Sequence, residues 1–128
     1  MLTMRSIAVL GLIMVAAACR TATPQKPIAT FAEIAGTWEG QYVLPSGELG
    51  PRWEHTIRED GQLHFRRFEL PIDGMRQLQL RNGMVVYDSM FWSGTITLHE
   101  VGGRRILKDI AIQRRNGAVF TGEFTAKQ

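Results

Sequence analysis

From Thr37 onward the chain sustains no helical period; it runs as short apolar-polar alternations broken by turn signals about every ten residues. That spacing leaves room for strands joined by tight loops and for little else, so the expected fold class is all-β: a small antiparallel up-and-down meander. The alternation also selects the loops. In "IREDGQL", pairing Ile57 with Leu63 keeps Trp53, His55 and Ile57 on one face with Leu63 and Phe65, through a three-residue loop Glu59-Asp60-Gly61. By the same rule Arg81-Asn82-Gly83 sets Leu78 and Leu80 opposite Val86 and Met84, and Arg115-Asn116-Gly117 sets Ile110 and Ile112 opposite Gly122 and Phe120. Val101-Gly102-Gly103 pairs Leu98 with Ile106 and Trp92 with Ile112, with a two-residue Gly102-Gly103 turn nearly as acceptable.

The strands expected on this basis cover 36–44, 52–58, 62–70, 75–80, 84–88, 91–100, 104–114 and 118–126, although "VYDSMFW" carries no glycine or proline and 84–100 is also readable as one bent strand. Eight strands can close into a barrel and abolish exposed edges. The face turned inward would carry Trp38, Tyr42, Trp53, His55, Phe65, Trp92, Phe120 and Phe124, with Leu80, Met84, Val86, Ile106, Ile110 and Ile112 among the aliphatics. A barrel of this size holds its own side chains or one small ligand. The aromatic inward face and the short strands favour a filled core, while inward Gly40, Gly94 and Gly122 remove side-chain volume beside the rings and argue for a ligand cavity.

Lys108 falls on the same predicted face as Ile106 and Ile110, where an unpaired ammonium is costly. It must reach the rim, pair with a carboxylate or meet an anionic ligand. The candidate ligand-binding residues are therefore Lys108, Trp92, Ile96, Ile110, Phe124, Tyr42 and His55. Arg67, Glu69 and Arg76 share a parity where the third and fourth strands meet, the pattern of a salt-bridged rim. Phe68, Leu70 and Ile72 then face outward in "FELPIDG", which marks a bulge or an apolar patch for a partner.

Catalysis finds little support. His55 points inward and His64 and His99 outward on separate strands, so they do not converge on one metal ion. No nucleophile elbow, phosphate loop or paired-cysteine motif occurs, and the expectation is a protein that is not an enzyme and uses no cofactor. The formal charge of +3 falls to +2 if the segment containing Arg5 is removed, too small an excess to argue for nucleic acid.

Ahead of the meander, Ile7–Ala18 is apolar but too short to cross a bilayer, and it reads as a secretory signal peptide over 1–18. The polar, proline-dotted segment 19–30 reads as a tether, and 31–128 as the barrel domain. Thr30 and Glu33 have the spacing of a capping box, with Gly36 closing a single helical turn.

Ala16-Ala17-Ala18 immediately before Cys19, the only cysteine, resembles the lipobox of bacterial lipoproteins. The resemblance implies that Cys19 is acylated with palmitate-like chains and becomes the first residue of the mature protein. Several acyl chains on one residue give stable anchoring where one does not. Arg20, in place of the aspartate that retains such proteins at the inner membrane, implies the periplasmic face of the outer membrane.

Gly36-Thr37-Trp38 at the start of the meander resembles the Gly-X-Trp signature of the lipocalins and the wider calycin group, and small bacterial inhibitor lipoproteins with compact eight-stranded barrels are similar in layout. In the family the tryptophan is covered by an arginine late in the chain; here the late arginines are Arg114 and Arg115, on the penultimate strand and its turn, and the final strand offers only Lys127, a departure from the family pattern. The resemblance implies a lipid-anchored envelope protein whose barrel is a non-catalytic binding module for a small apolar or amphiphilic ligand. The alternatives are a protein-binding or inhibitor lipoprotein acting through its loops, or a structural lipoprotein of the envelope. For the anchor, Cys19→Ser is expected to abolish incorporation of radiolabelled fatty acid in cells while leaving the domain folded; equal labelling of the two forms would refute acylation at this residue.

Overall fold

The structure, a computed structural model, describes residues 24–127; the segment 1–18 read as a signal peptide and Cys19 lie outside the described residues. The strands are β1 (Gln25–Lys26), β2 (Gly36–Val43), β3 (Leu49–Ile57), β4 (Gln62–Arg67), β5 (Asp73–Gln77), β6 (Gln79–Arg81), β7 (Met84–Asp88), β8 (Trp92–Val101), β9 (Arg104–Gln113) and β10 (Val119–Ala126). All neighbours pair antiparallel in the order β5-β4-β3-β2-β10-β9-β8-β7-β6, with β1 added to β8. β5 and β6 are two halves of one run interrupted at Leu78; the first pairs with β4 and the second with β7. The path around the sheet thus returns to its start, giving a nearly closed barrel in which the expected 84–100 region is two strands with a turn closed by Ser89 N–H to Trp92 C=O at 2.7 Å.

The first loop is as the alternation demands: Ile57 pairs with Leu63 across Glu59-Asp60-Gly61. Three others differ. Val101 pairs with Arg104, so Gly102-Gly103 is a two-residue turn with φ of 57° and 78°. Two successive positive φ angles define the turn whose twist matches a hairpin, and glycine adopts them without a Cβ clash. Arg81 likewise pairs with Met84 across Asn82-Gly83. In the last hairpin Gln113 N–H donates to Ala118 C=O, so the loop is the four residues 114–117.

A one-residue change in a loop flips the strand that follows, because side chains alternate with period two, and the longer last loop undoes for β10 the flip that the Gly102-Gly103 turn imposes on β9. On β9 the buried residues are Leu107, Asp109 and Ala111, while Ile110 and Ile112 are exposed and Lys108 turns outward, 3.9 Å from Glu123 on β10. On β7 Val85 and Tyr87 are buried in place of Met84 and Val86, and Leu80 is exposed. The remaining inward assignments on β2, β3, β4, β8 and β10 stand, with Trp38, His55, Ile57, Leu63, Ile96, Leu98 and Phe124 buried.

Because the strands alternate in direction, the turns 58–62, 82–83 and 102–103 share one end of the barrel and the loops 44–48, 68–72, 89–91 and 114–117 share the other. The first end is closed. Gln25 and Lys26 pair with His99 and Leu98, Ile28 N–H donates to Gly83 C=O at 2.8 Å, and Ile28 and Ile34 are buried. The packed domain therefore begins at Gln25, inside the segment read as tether. Phe31–Glu33 is a 3-10 turn without a Thr30 side-chain cap; Glu33 instead accepts from Ala29 N–H at 3.0 Å. Trp38 Nε1–H donates to Ile34 C=O at 2.9 Å, and the guanidinium above its ring is that of Arg105, at 5.3 Å, not Arg114 or Arg115. Arg105 also reaches Glu33 C=O. Among the described residues the buried core runs from Ile28 to Phe124.

Gly117 has φ of 70°, and a Cβ there would meet nothing within 4 Å. Gly117→Val should therefore destabilise by at least ~1 kcal/mol through backbone strain alone. An unchanged denaturation midpoint would contradict the left-handed assignment.

Candidate functional site

The register that turns Lys108 outward turns Asp109 inward, where it is 1 % exposed. A carboxylate in that position needs donors. Tyr42 from β2 supplies one, its hydroxyl donating to Oδ2 at 2.5 Å, and Tyr87 from β7 supplies the other, donating to Oδ1 at 2.7 Å. Burial still raises the Asp109 pKa, with the two tyrosine hydrogen bonds acting against it. Burial, then the Asp109 charge, pushes the Tyr42 and Tyr87 phenols far above their ordinary range. Arg76 completes the group; its guanidinium lies 4.7 Å from the centre of the Phe65 ring and 4.6 Å from that of Tyr87. Such stacking suits a weakly hydrated guanidinium.

Around this polar centre the barrel is filled. His55 stacks on Phe124 at 4.2 Å, and Tyr42 meets Phe124 edge-on at 5.4 Å. The inward glycines leave no room: a Cβ on Gly94 would lie 2.2 Å from the Tyr87 hydroxyl, and one on Gly122 would lie 2.7 Å from ring carbons of Phe124 and Tyr42. The structure thus brings Tyr42, His55, Ile96 and Phe124 together as core, keeps Trp92 half-buried against Phe120, and places Lys108 and Ile110 on the outer wall. The expected interior ligand set does not assemble. The isoleucines of β9 outweigh Asp109 in an alternation count, and the signal in the sequence that turns it inward is the Gly102-Gly103 turn.

The loop end is different in character. Phe68, Leu70 and Ile72 between β4 and β5 are 43 %, 47 % and 43 % exposed, and Met90 and Phe91 between β7 and β8 are 81 % and 67 % exposed. Both loops are held in place. Arg114 donates from Nε to Ser89 C=O at 2.8 Å and from its backbone N–H to Phe91 C=O at 2.9 Å, and it pairs with Asp88. Phe68 has the guanidinium groups of Arg52 and Arg66 each 5.6 Å from its ring, and these pair with Glu39 and Glu54. A hollow of about 350 Å³ opens here, lined by residues 66–73. The salt-bridged rim expected of Arg67, Glu69 and Arg76 does not form: among the described residues none of the three is in an ion pair, because Arg76 turns into the barrel and Glu69 lies out in the loop.

No family model matches this chain, and neither do any curated protein or solved structure.

Burial, then the nearby Arg76 charge, pushes the His55 imidazole down to about 3. A base whose folded pKa lies below its unfolded value of ~6.5 gives stability that is complete above that value and lost as pH falls toward the folded pKa. The protein should therefore lose stability steadily from about pH 6.5 to pH 3, and His55→Phe, which keeps a ring against Phe124, should flatten that slope. Chemical denaturation across this pH range checks it; parallel slopes would exclude His55 as the source.

Proposed function

We propose that this chain is a lipid-anchored protein of the cell envelope, held at the outer membrane through Cys19 and facing the periplasm, and that its small barrel is a non-catalytic binding module whose binding face is the loop end. The observation that carries the reading is the contrast between the ends. One is sealed by the segment leading back toward Cys19, and the other presents Phe68, Leu70, Ile72, Met90 and Phe91 on loops tied down by arginines. Clustered exposed apolar side chains on a well-ordered scaffold are the usual mark of a partner surface.

The anchor favours a protein partner. Five residue steps from Cys19 to Pro24 span at most roughly 18 Å, and the chain enters the barrel at the sealed end. The loop end then points away from the membrane that holds the lipid. A small amphiphile is the second reading, favoured by the hollow beside Phe68, whose volume of about 350 Å³ falls within the range of ligand pockets.

A photo-crosslinking residue at Leu70 or Phe91 in the lipidated protein should trap one envelope protein in cells. The same residue at Val101, exposed at the sealed end, should not, and adding Phe68→Ser should suppress the Leu70 adduct. Equal trapping from both ends would remove the loop end from consideration.

A further inference from the structure

Two arginines of β4 and β5 sit on inward parity, and only one of them is accommodated. Arg76 lies between two rings, close enough to Asp109 for its charge to act on that carboxylate. Arg67 pairs through its backbone with Trp53 at the loop-end limit of β4, and it is one of the residues that line the hollow of residues 66–73. Its Nε–H is buried without a hydrogen-bond acceptor, and it joins no ion pair among the described residues. An unsatisfied buried donor is costly, more so when it belongs to a charged group. The planar fork of an arginine is also the donor geometry that takes a carboxylate.

We infer that Arg67 is an anion site within the loop-end binding face, and that it receives a glutamate or aspartate side chain of the partner flanked by apolar residues. This rests on the reading of the loop end as the binding face. The apolar flanks follow from the neighbours: Phe68, Leu70, Pro71 and Ile72 line the same hollow, so a hydrated anion alone would leave them uncovered. Other charges narrow the assignment. Arg66 is engaged by Glu54 at 3.3 Å and Asp73 by His64 at 3.5 Å. Glu69, which is in no ion pair among the described residues, shares the lining with Arg67 and opposes an incoming carboxylate. A fatty-acid-like amphiphile offers the same chemistry, but it would leave Met90 and Phe91 on the neighbouring loop without a contact.

The test follows the Arg67 Nε–Hε resonance by nuclear magnetic resonance in the full chain. The probes are acetyl-Leu-Glu-Leu-amide against acetyl-Leu-Gln-Leu-amide, and octanoate against octanol. The glutamate peptide should shift the resonance saturably and the glutamine peptide should not. Arg67→Met should weaken the glutamate peptide about tenfold or more, the scale of a charge-assisted hydrogen bond, while leaving the amide spectrum of the barrel in place. Glu69→Gln should tighten it. A response to octanoate but not to the peptide would overturn the protein source; equal responses to the charged and neutral members of either pair, or none from any probe, would overturn the anion site. Crosslinks from Phe91 do not depend on Arg67, so their presence with a silent Arg67 resonance would reject this inference alone.

Discussion

The pair of hydrogen bonds from Tyr42 and Tyr87 to the Asp109 carboxylate is the contact on which the barrel's interior depends. It ties β2, β7 and β9, strands that are not all neighbours in the sheet, through a single buried group. Removing one member of a buried charged cluster strands the rest and typically costs ~3–5 kcal/mol. The rings that deliver the hydroxyls also fill the volume beside Gly94 and Gly122. Polar satisfaction and close packing are therefore the same event here, and neither can be relaxed to admit a ligand without losing the other.

Much of the architecture is legible from alternation and turn residues. The strands of the meander, the 59–61 loop and the inward faces of β2, β3, β4, β8 and β10 follow from them. β7 and β9 do not. In "RRILKDIAIQ" the isoleucines at 106, 110 and 112 outnumber Leu107 and Ala111, and in "MVVYD" both faces are equally apolar, so the pattern does not specify which side is in. Turn chemistry decides it: Gly-Gly and Asn-Gly favour two-residue loops, and that preference places a carboxylate inside, which hydrophobicity alone argues against. The loop-end cluster was readable at "FELPIDG", whereas the contribution of Met90 and Phe91 required the pairing that brings their loop to the same end.

Charge is organised on the outside as well as within. Glu39 and Glu54 oppose each other across β2 and β3, a repulsive pair relieved by Lys127, whose ammonium lies 3.3 Å from one and 3.0 Å from the other. Lys127 holds the Glu54 carboxyl below its usual range, chiefly through that hydrogen bond. These glutamates in turn hold Arg52 and Arg66 about Phe68. The final residues of the chain thereby stabilise, through a chain of alternating charges, the posture of a loop at the opposite end.

The short pairing of β1 with β8 has a mechanical meaning. It consists of only Gln25 and Lys26, reinforced by the Lys26–Glu100 ion pair at 2.5 Å, and among the described residues it is the first pairing that tension on the N-terminal side would meet. Two residues of antiparallel ladder open one bond at a time under a modest pull. Tension would next load Ile28 at the plug of the sealed end, before it reached the ladders of the barrel wall. The segment acts as a compliant coupling: a domain tugged through its N-terminus would surrender a few residues of slack, lengthen its reach and keep its loop end intact.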